Sequence, residues 1–295
     1  MRPEATAGLD ARYGISPMTH SLPLGWHGNY ADVLTFDKNL NHVEQRIDLT
    51  SLEFVTAYGL VGLACAIAYN SKLGIETTVC LPLSTNVRNY LSRMGFQTIL
   101  EKYSCSKSSS LPAVRSSSLP NVLLELQTFE DRSQIDKLSS LVWDRLDGSV
   151  SPQSLGAIYM GLGEIADNVR YHAGISWGFI AAQTYQAGTP QERITFAIGD
   201  IGIGIRKALV MHGPNTDLEA IKLALEYEVS GTDEPGRGVG IPTTVEAVTG
   251  IQGSVHFRTG ASSVDIFNGK TIENMQTKHL DGTIIGVEVP CRPGG

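Results

Sequence analysis

"RITFAIGDIGIGIRKAL" (193–209) reads as a β-branched strand running into a carboxylate and then a turn with alternate glycines. An aspartate at a strand end, here Asp200, can accept a hydrogen bond from an exocyclic amine. Gly202 and Gly204 would let a ligand come close to the backbone, because no Cβ stands in the way. Alone, the pattern also fits a plain turn. The segments on either side give it direction.

Upstream, "SPQSLGAIYMGLGEIADNVRYHAG" (151–174) sets Leu155, Ile158, Tyr159, Leu162, Ile165, Ala166 and Val169 at helical spacing. Pro152 suits the first turn and Gly174 the stop. Glu164 lies two residues from Leu162, about 200° round the helix, so it faces away from the apolar stripe. Asn168, four residues on, projects beside it, and Asp167 sits on the neighbouring edge. A solvated outer face would account for these polar residues equally well. Downstream, "GRGVGIPTTVEAV" (236–248) is a glycine-rich turn opening a helix, whose backbone amides can cradle phosphate.

The order of these signals is more specific than any one of them. Glu-x-x-x-Asn on a helix comes first, then Asp-x-Gly-x-Gly after a strand and Gly-x-Gly-x-Gly before a helix. Gly-Thr follows in the late strand "DGTIIGVEVP" (281–290). This succession resembles the GHKL superfamily of ATPases and kinases over about residues 120 to 290. The resemblance implies a Bergerat ATP-binding fold, an α/β sandwich with a mixed sheet covered by helices on one face. "GSVHFRT", "SVDIF" and "TIIGVEV" would be strands at the back of that sheet.

The same resemblance implies ATP and Mg2+ as ligands. Asn168 would coordinate the magnesium that bridges the phosphates, an oxygen-ligand task suited to a carboxamide. Glu164 would be the general base that activates water or a hydroxyl. Asp200 would bind the adenine amino group, with Gly202 and Gly204 admitting the base. Gly236, Gly238 and Gly240 would contact phosphates, Arg237 would add a charge, and Thr283 would support the adenine end. The stretch 206–235 would be the ATP lid, with Thr216 and Glu219 as a capping box before an amphipathic helix. Its breaker-rich flanks suit closure on nucleotide. His172 is similar to the histidine that follows the asparagine in anti-sigma kinases, although such a residue more often serves the fold. "QTK" (276–278) is like a gyrase-type sensor loop, but it precedes the Gly-Thr strand and is read as coincidence.

The first third of the chain has a different rhythm. Residues 1–29 carry no clear period and are expected as a loose arm. "YADVLTF" (30–36) reads as a strand, and "RIDLTSLEFVTAYGLVGLACAIAYNSKLG" (46–74) as a short strand, a turn and a helix apolar nearly all round, whose run "YGLVGLACAIAY" (58–69) is too short to span a membrane. "IETTVCLPL" (75–83) reads as a strand, "STNVRNYLSRMGF" (84–96) as an amphipathic helix and "QTIL" (97–100) as another strand. Over 30–105 this succession resembles a STAS domain, carried by "IDLTSLEFVTAYGL" (47–60) and "LPLSTNVRNYLSRMGF" (81–96). The family's regulatory serine precedes the turn glycine, where this chain has Tyr58 before Gly59. A phosphoserine switch therefore does not carry over, and the module is expected to make protein contacts or to self-associate. Serines and prolines mark 106–120 as a linker, and residues 121–295 are expected as the ATP-binding domain. That domain opens with strand "NVLLELQTF" and helix "RSQIDKLSSLVWDRL".

A net charge of -7 argues against a sequence-independent grip on nucleic acid. The four cysteines form no CxxC pair, which fits a reducing cytoplasm and argues against a zinc site. No signal peptide or membrane span is expected. A histidine kinase is not expected, for want of a dimerisation-helix pair with a phosphoacceptor histidine, nor is a topoisomerase, for want of a transducer after the ATP domain. The expected function is an ATP-binding regulatory protein whose slow hydrolysis drives lid closure and switches a partner or dimer. The alternatives are a serine/threonine kinase of anti-sigma type and a non-catalytic nucleotide sensor.

Overall fold

The computed structural model describes residues 34–36, 44–107, 109–113, 122–231 and 238–292. The expected arm over 1–29 and much of the linker lie outside the described residues. The class is α/β, with two sheets. The first is ordered β1 (Leu34–Phe36), β2 (Glu44–Asp48), β3 (Glu76–Cys80), β4 (Ser106–Lys107). Its helices are α1 (Ala57–Lys72), α2 (Thr85–Arg93) and α3 (Phe96–Lys102). Ser84 caps α2 by accepting from the Val87 amide, and Thr56 caps α1 by accepting from the Gly59 amide at 3.0 Å.

"QTIL", read as a strand, lies within α3. Phe96, Ile99 and Leu100, spaced by three and four, are its buried residues, and four residues were too few to reveal that period.

The second sheet holds β5 (Val122–Phe129), β6 (Gly178–Tyr185), β7 (Arg193–Gly199), β8 (Ser254–Phe267) and β9 (Lys270–Pro290), in the order β5-β6-β7-β9-β8. Its helices are α4 (Arg132–Leu146), α5 (Pro152–His172), α6 (Gly204–Ala208), α7 (Asp217–Ala224) and α8 (Gly240–Gly250). A mixed sheet was expected, but all four described pairings are antiparallel. The short connection between α4 and α5 makes them a helical hairpin, which returns the chain so that β6 runs against β5. β7 and β8 do point the same way, but β9 is inserted between them. "GSVHFRT" and "SVDIF", read as separate strands, are one strand that bulges at Gly260 without breaking.

Strand β6 escaped the sequence reading. Seven of its eight residues are buried, so it shows no alternation of apolar and polar residues. The reason is a further departure from expectation: both faces of the second sheet are covered. Large side chains such as Ile180, Phe196, Ile198 and Ile285 face α4, α5 and α8. Ala181, Ala197 and Ile284 face α1 from the first unit. The all-round apolarity of α1 follows, since it packs against its own sheet and against the second one.

The approach of α1 is closest at Gly199. A Cβ there would stand 2.7 Å from Val61 Cγ1 and 2.9 Å from Cys65 Sγ. Gly199→Ala is expected to destabilise the protein by roughly 1–3 kcal/mol through overpacking. A lowered denaturant midpoint with an unchanged slope is the expected signature.

Candidate functional site

Close packing of two helices builds one wall of the site. At Gly161 a Cβ would meet Phe196 Cζ of β7 at 2.9 Å and Thr244 Cγ2 of α8 at 3.2 Å. Glycine there lets α5 settle against both. Almost one turn later Glu164 reaches the start of α8, where a Cβ on Gly240 would collide with its carboxylate. Asn168 follows on the same face, and its Nδ2 donates to the Glu164 carbonyl at 2.9 Å. With the nitrogen turned back onto the helix, the side-chain oxygen is left for a ligand.

The opposite wall starts at the end of β7. Asp200 is 3% exposed, and its carboxylate accepts from the Gly202 amide at 2.7 Å. Burial pushes the Asp200 carboxyl up to about 7, against the pull of the backbone amides of Gly202 and Thr283. Thr283 lies on β9 beside it, and the Asp200 amide donates to the Thr283 carbonyl at 2.9 Å. Between these walls lies a cavity of about 350 Å3. That is within the range of small-molecule sites, roughly 300–1,000 Å3.

Glu164, Asn168, Asp200, Gly204, Gly238, Gly240 and Thr283 all line this cavity. Gly202 does not; a Cβ there would collide with the Ala173 carbonyl, so its role is to seat the turn against the end of α5. The Ile203 amide donates to that same carbonyl at 2.8 Å. Gly236 and Arg237 lie outside the described residues, as do the side chains of His172 and of 276–278.

Several features were not legible in the sequence. Thr259 of β8, 1% exposed, accepts from the Ile205 amide at 3.2 Å and donates to the Gly282 carbonyl at 2.8 Å. It ties α6 to β9 and so shapes the turn after Asp200. Nothing in "GSVHFRT" marks this threonine, since its partners are 54 and 23 residues away. Asp167 also lines the cavity; it is bound by Arg132 of α4 and by Arg170 at 3.4 Å. The remaining wall is apolar, with Ile165, Ile198, Ile205 and Ile285 among its residues.

Within the expected lid, the described helix α7 is held against the second sheet. Thr216 accepts from the Glu219 amide at 3.1 Å, as the capping pattern predicts, while Glu219 reaches past the N-cap and accepts from the Asn215 amide at 2.7 Å. Helix α7 itself is fastened to β8 and β9. Asp217 accepts from the Ala261 amide at 2.8 Å, Lys222 meets Glu273 at 2.9 Å, and Ile221 is fully buried.

Three carboxylates, from Glu164, Asp167 and Asp200, line the cavity, and no lysine or arginine does so among the described residues. No group of three His, Cys, Asp or Glu residues suited to a metal ion occurs among them. A hard cation would thus need ligand oxygens in addition to the Asn168 carboxamide. No described helix is long and apolar enough to cross a membrane. No protein-family model and no curated protein matches the chain.

Proposed function

We propose that the chain binds Mg-ATP in this cavity and hydrolyses it slowly, in the manner of the GHKL proteins its motifs resemble. The observation that carries the reading is convergence. Residues singled out in four separate stretches, 164–168, 200–204, 238–240 and 283, line one cavity of suitable size. A surface of unrelated polar residues gives no reason for that.

In this reading Asp200, buried at one end, accepts the adenine amino group. The apolar wall flanks the base. The amides at the start of α8 face the phosphates. Asn168, through its side-chain oxygen, would help to hold Mg2+, with the remaining oxygen ligands coming from outside the protein. The ion supplies charge neutralisation to a site whose described lining is acidic. Glu164 takes the proton from the attacking water.

The test follows the γ-phosphate of labelled ATP with magnesium, beside an Asn168→Ala variant. Free labelled phosphate from the unaltered protein and at least a tenfold loss in the variant are the expected results. Label retained on the protein would replace hydrolysis by kinase chemistry. Absence of ATP binding would overturn the reading.

A further inference from the structure

The end of the cavity that holds Asp200 has a second layer behind it, and that layer belongs to the N-terminal unit. Val61 and Cys65 of α1 press on Gly199, the residue before Asp200. Ile201, the residue after it, is buried in the same cluster as α1, and Ile284, next to Thr283, joins them. Two polar contacts extend this at the C-terminal end of the helix. Lys72 Nζ donates to the Ile201 carbonyl at 3.5 Å, and the Tyr69 hydroxyl faces the Asp281 carboxylate, which raises the phenol pKa. Asp281 precedes Gly282, whose missing Cβ leaves room for the Asp200 carbonyl. The helix therefore touches both chain segments, 199–201 and 281–284, that carry the two polar groups at this end of the cavity.

We propose that Lys72 and Tyr69 are positioning residues for the ligand base, acting through the 199–201 and 281–284 segments, so that the N-terminal unit is a working part of the nucleotide site. The inference rests on the adenine-nucleotide reading above. Its physical content is a shared boundary. Asp200 can meet an exocyclic amine only if its turn keeps one place, and α1 fixes that place from the side opposite the ligand. By linkage, whatever a ligand does to this turn is also felt at the last turn of α1.

The experiment uses the full chain and two probes, ADP and inosine diphosphate, which differ at the exocyclic group that Asp200 would read. Binding of each is measured by calorimetry to the unaltered protein, to Lys72→Met with Tyr69→Phe, and to Lys72→Arg. Lys72 is exposed and Tyr69 half-buried, so the ligand-free unfolding midpoint is expected to hold. The expected result is that the preference for ADP over inosine diphosphate narrows about tenfold in the double variant and is kept in Lys72→Arg. A purely structural role would not move that ratio. An unchanged ratio in the double variant, whatever its affinities, would overturn the proposal while leaving nucleotide binding by the unaltered protein intact. Failure of the unaltered protein to bind ADP would instead overturn the nucleotide reading, and this inference with it.

Discussion

Replacing Asp200 by asparagine is expected to stabilise the protein above pH 7 and to remove most of its affinity for ATP. Both effects come from one fact: burial holds this carboxyl near 7, whereas its ordinary value is 3.8. The unfolded chain has released this proton by about pH 4, while the folded chain keeps it to about pH 7. Folding therefore takes up a proton in that window, and the contribution of Asp200 to stability falls as pH rises through it. The interval corresponds to roughly 4 kcal/mol, fully expressed above pH 7. Asparagine carries no charge to desolvate and can still accept from the Gly202 amide. Asp200→Asn should therefore gain up to about that amount at pH 8 and almost nothing at pH 4. Denaturant unfolding at both pH values checks the sign. Equal effects at the two would mean that the carboxyl does not titrate late.

The affinity should move the other way. A hydrogen bond to a charged acceptor is worth about 1.5–3 kcal/mol, so its loss should weaken ATP binding roughly ten- to hundredfold. In the unaltered protein, ATP affinity should fall below pH 7 as Asp200 takes up its proton. Calorimetry in two buffers of different ionisation heat should record proton release on binding at pH 6. A residue that lowers stability at the pH where it binds ligand is the pattern expected of a site, not of a core.

The sequence was most informative where local rules act. Ser84 and Thr216 cap α2 and α7, and the apolar stripe read in α5 is buried except at Tyr159, which is 44% exposed. Each motif was legible because it is local, i,i+4 on a helix or glycines at a helix start, while the meeting of seven of the ten proposed site residues in one cavity is the work of the fold. Illegible features depend on chain segments far apart. Strand β6 loses its alternation because α1 covers its second face, and no residue of β6 announces α1. Gly202 looks like a ligand-facing glycine but answers to the Ala173 carbonyl. Helix α7 looks like a free lid until Asp217 is seen bound to Ala261, 44 residues away. Tyr58, at the place of a regulatory serine in the resemblance, is buried edge-on against His256 with centroids 4.7 Å apart. This part of α1 thus packs against the second unit of the same chain.

Glu164→Gln should abolish turnover while leaving ATP bound. Loss of a general base costs about 10²- to 10⁴-fold in rate, and glutamine keeps the side-chain length while giving up the proton acceptor. Affinity should hold or rise, and the reason is electrostatic. Glu164 is one of three carboxylates around a cavity without a described basic residue, and it lies against Gly240 at the start of α8, whose amides would meet phosphate in the proposed complex. Removing that charge takes away a competitor for those amides and a source of repulsion toward the phosphates. Two unit charges 4 Å apart repel by about 1 kcal/mol even in bulk water, so several-fold tighter binding is within reach. Single-turnover release of labelled phosphate, measured beside ATP affinity, separates the two effects. A variant that loses binding and turnover together would make Glu164 a structural support of α8. One that retains full turnover would move the proton acceptor to Asp167, the neighbouring carboxylate, which the paired arginines Arg132 and Arg170 keep turned to the rim of the same cavity.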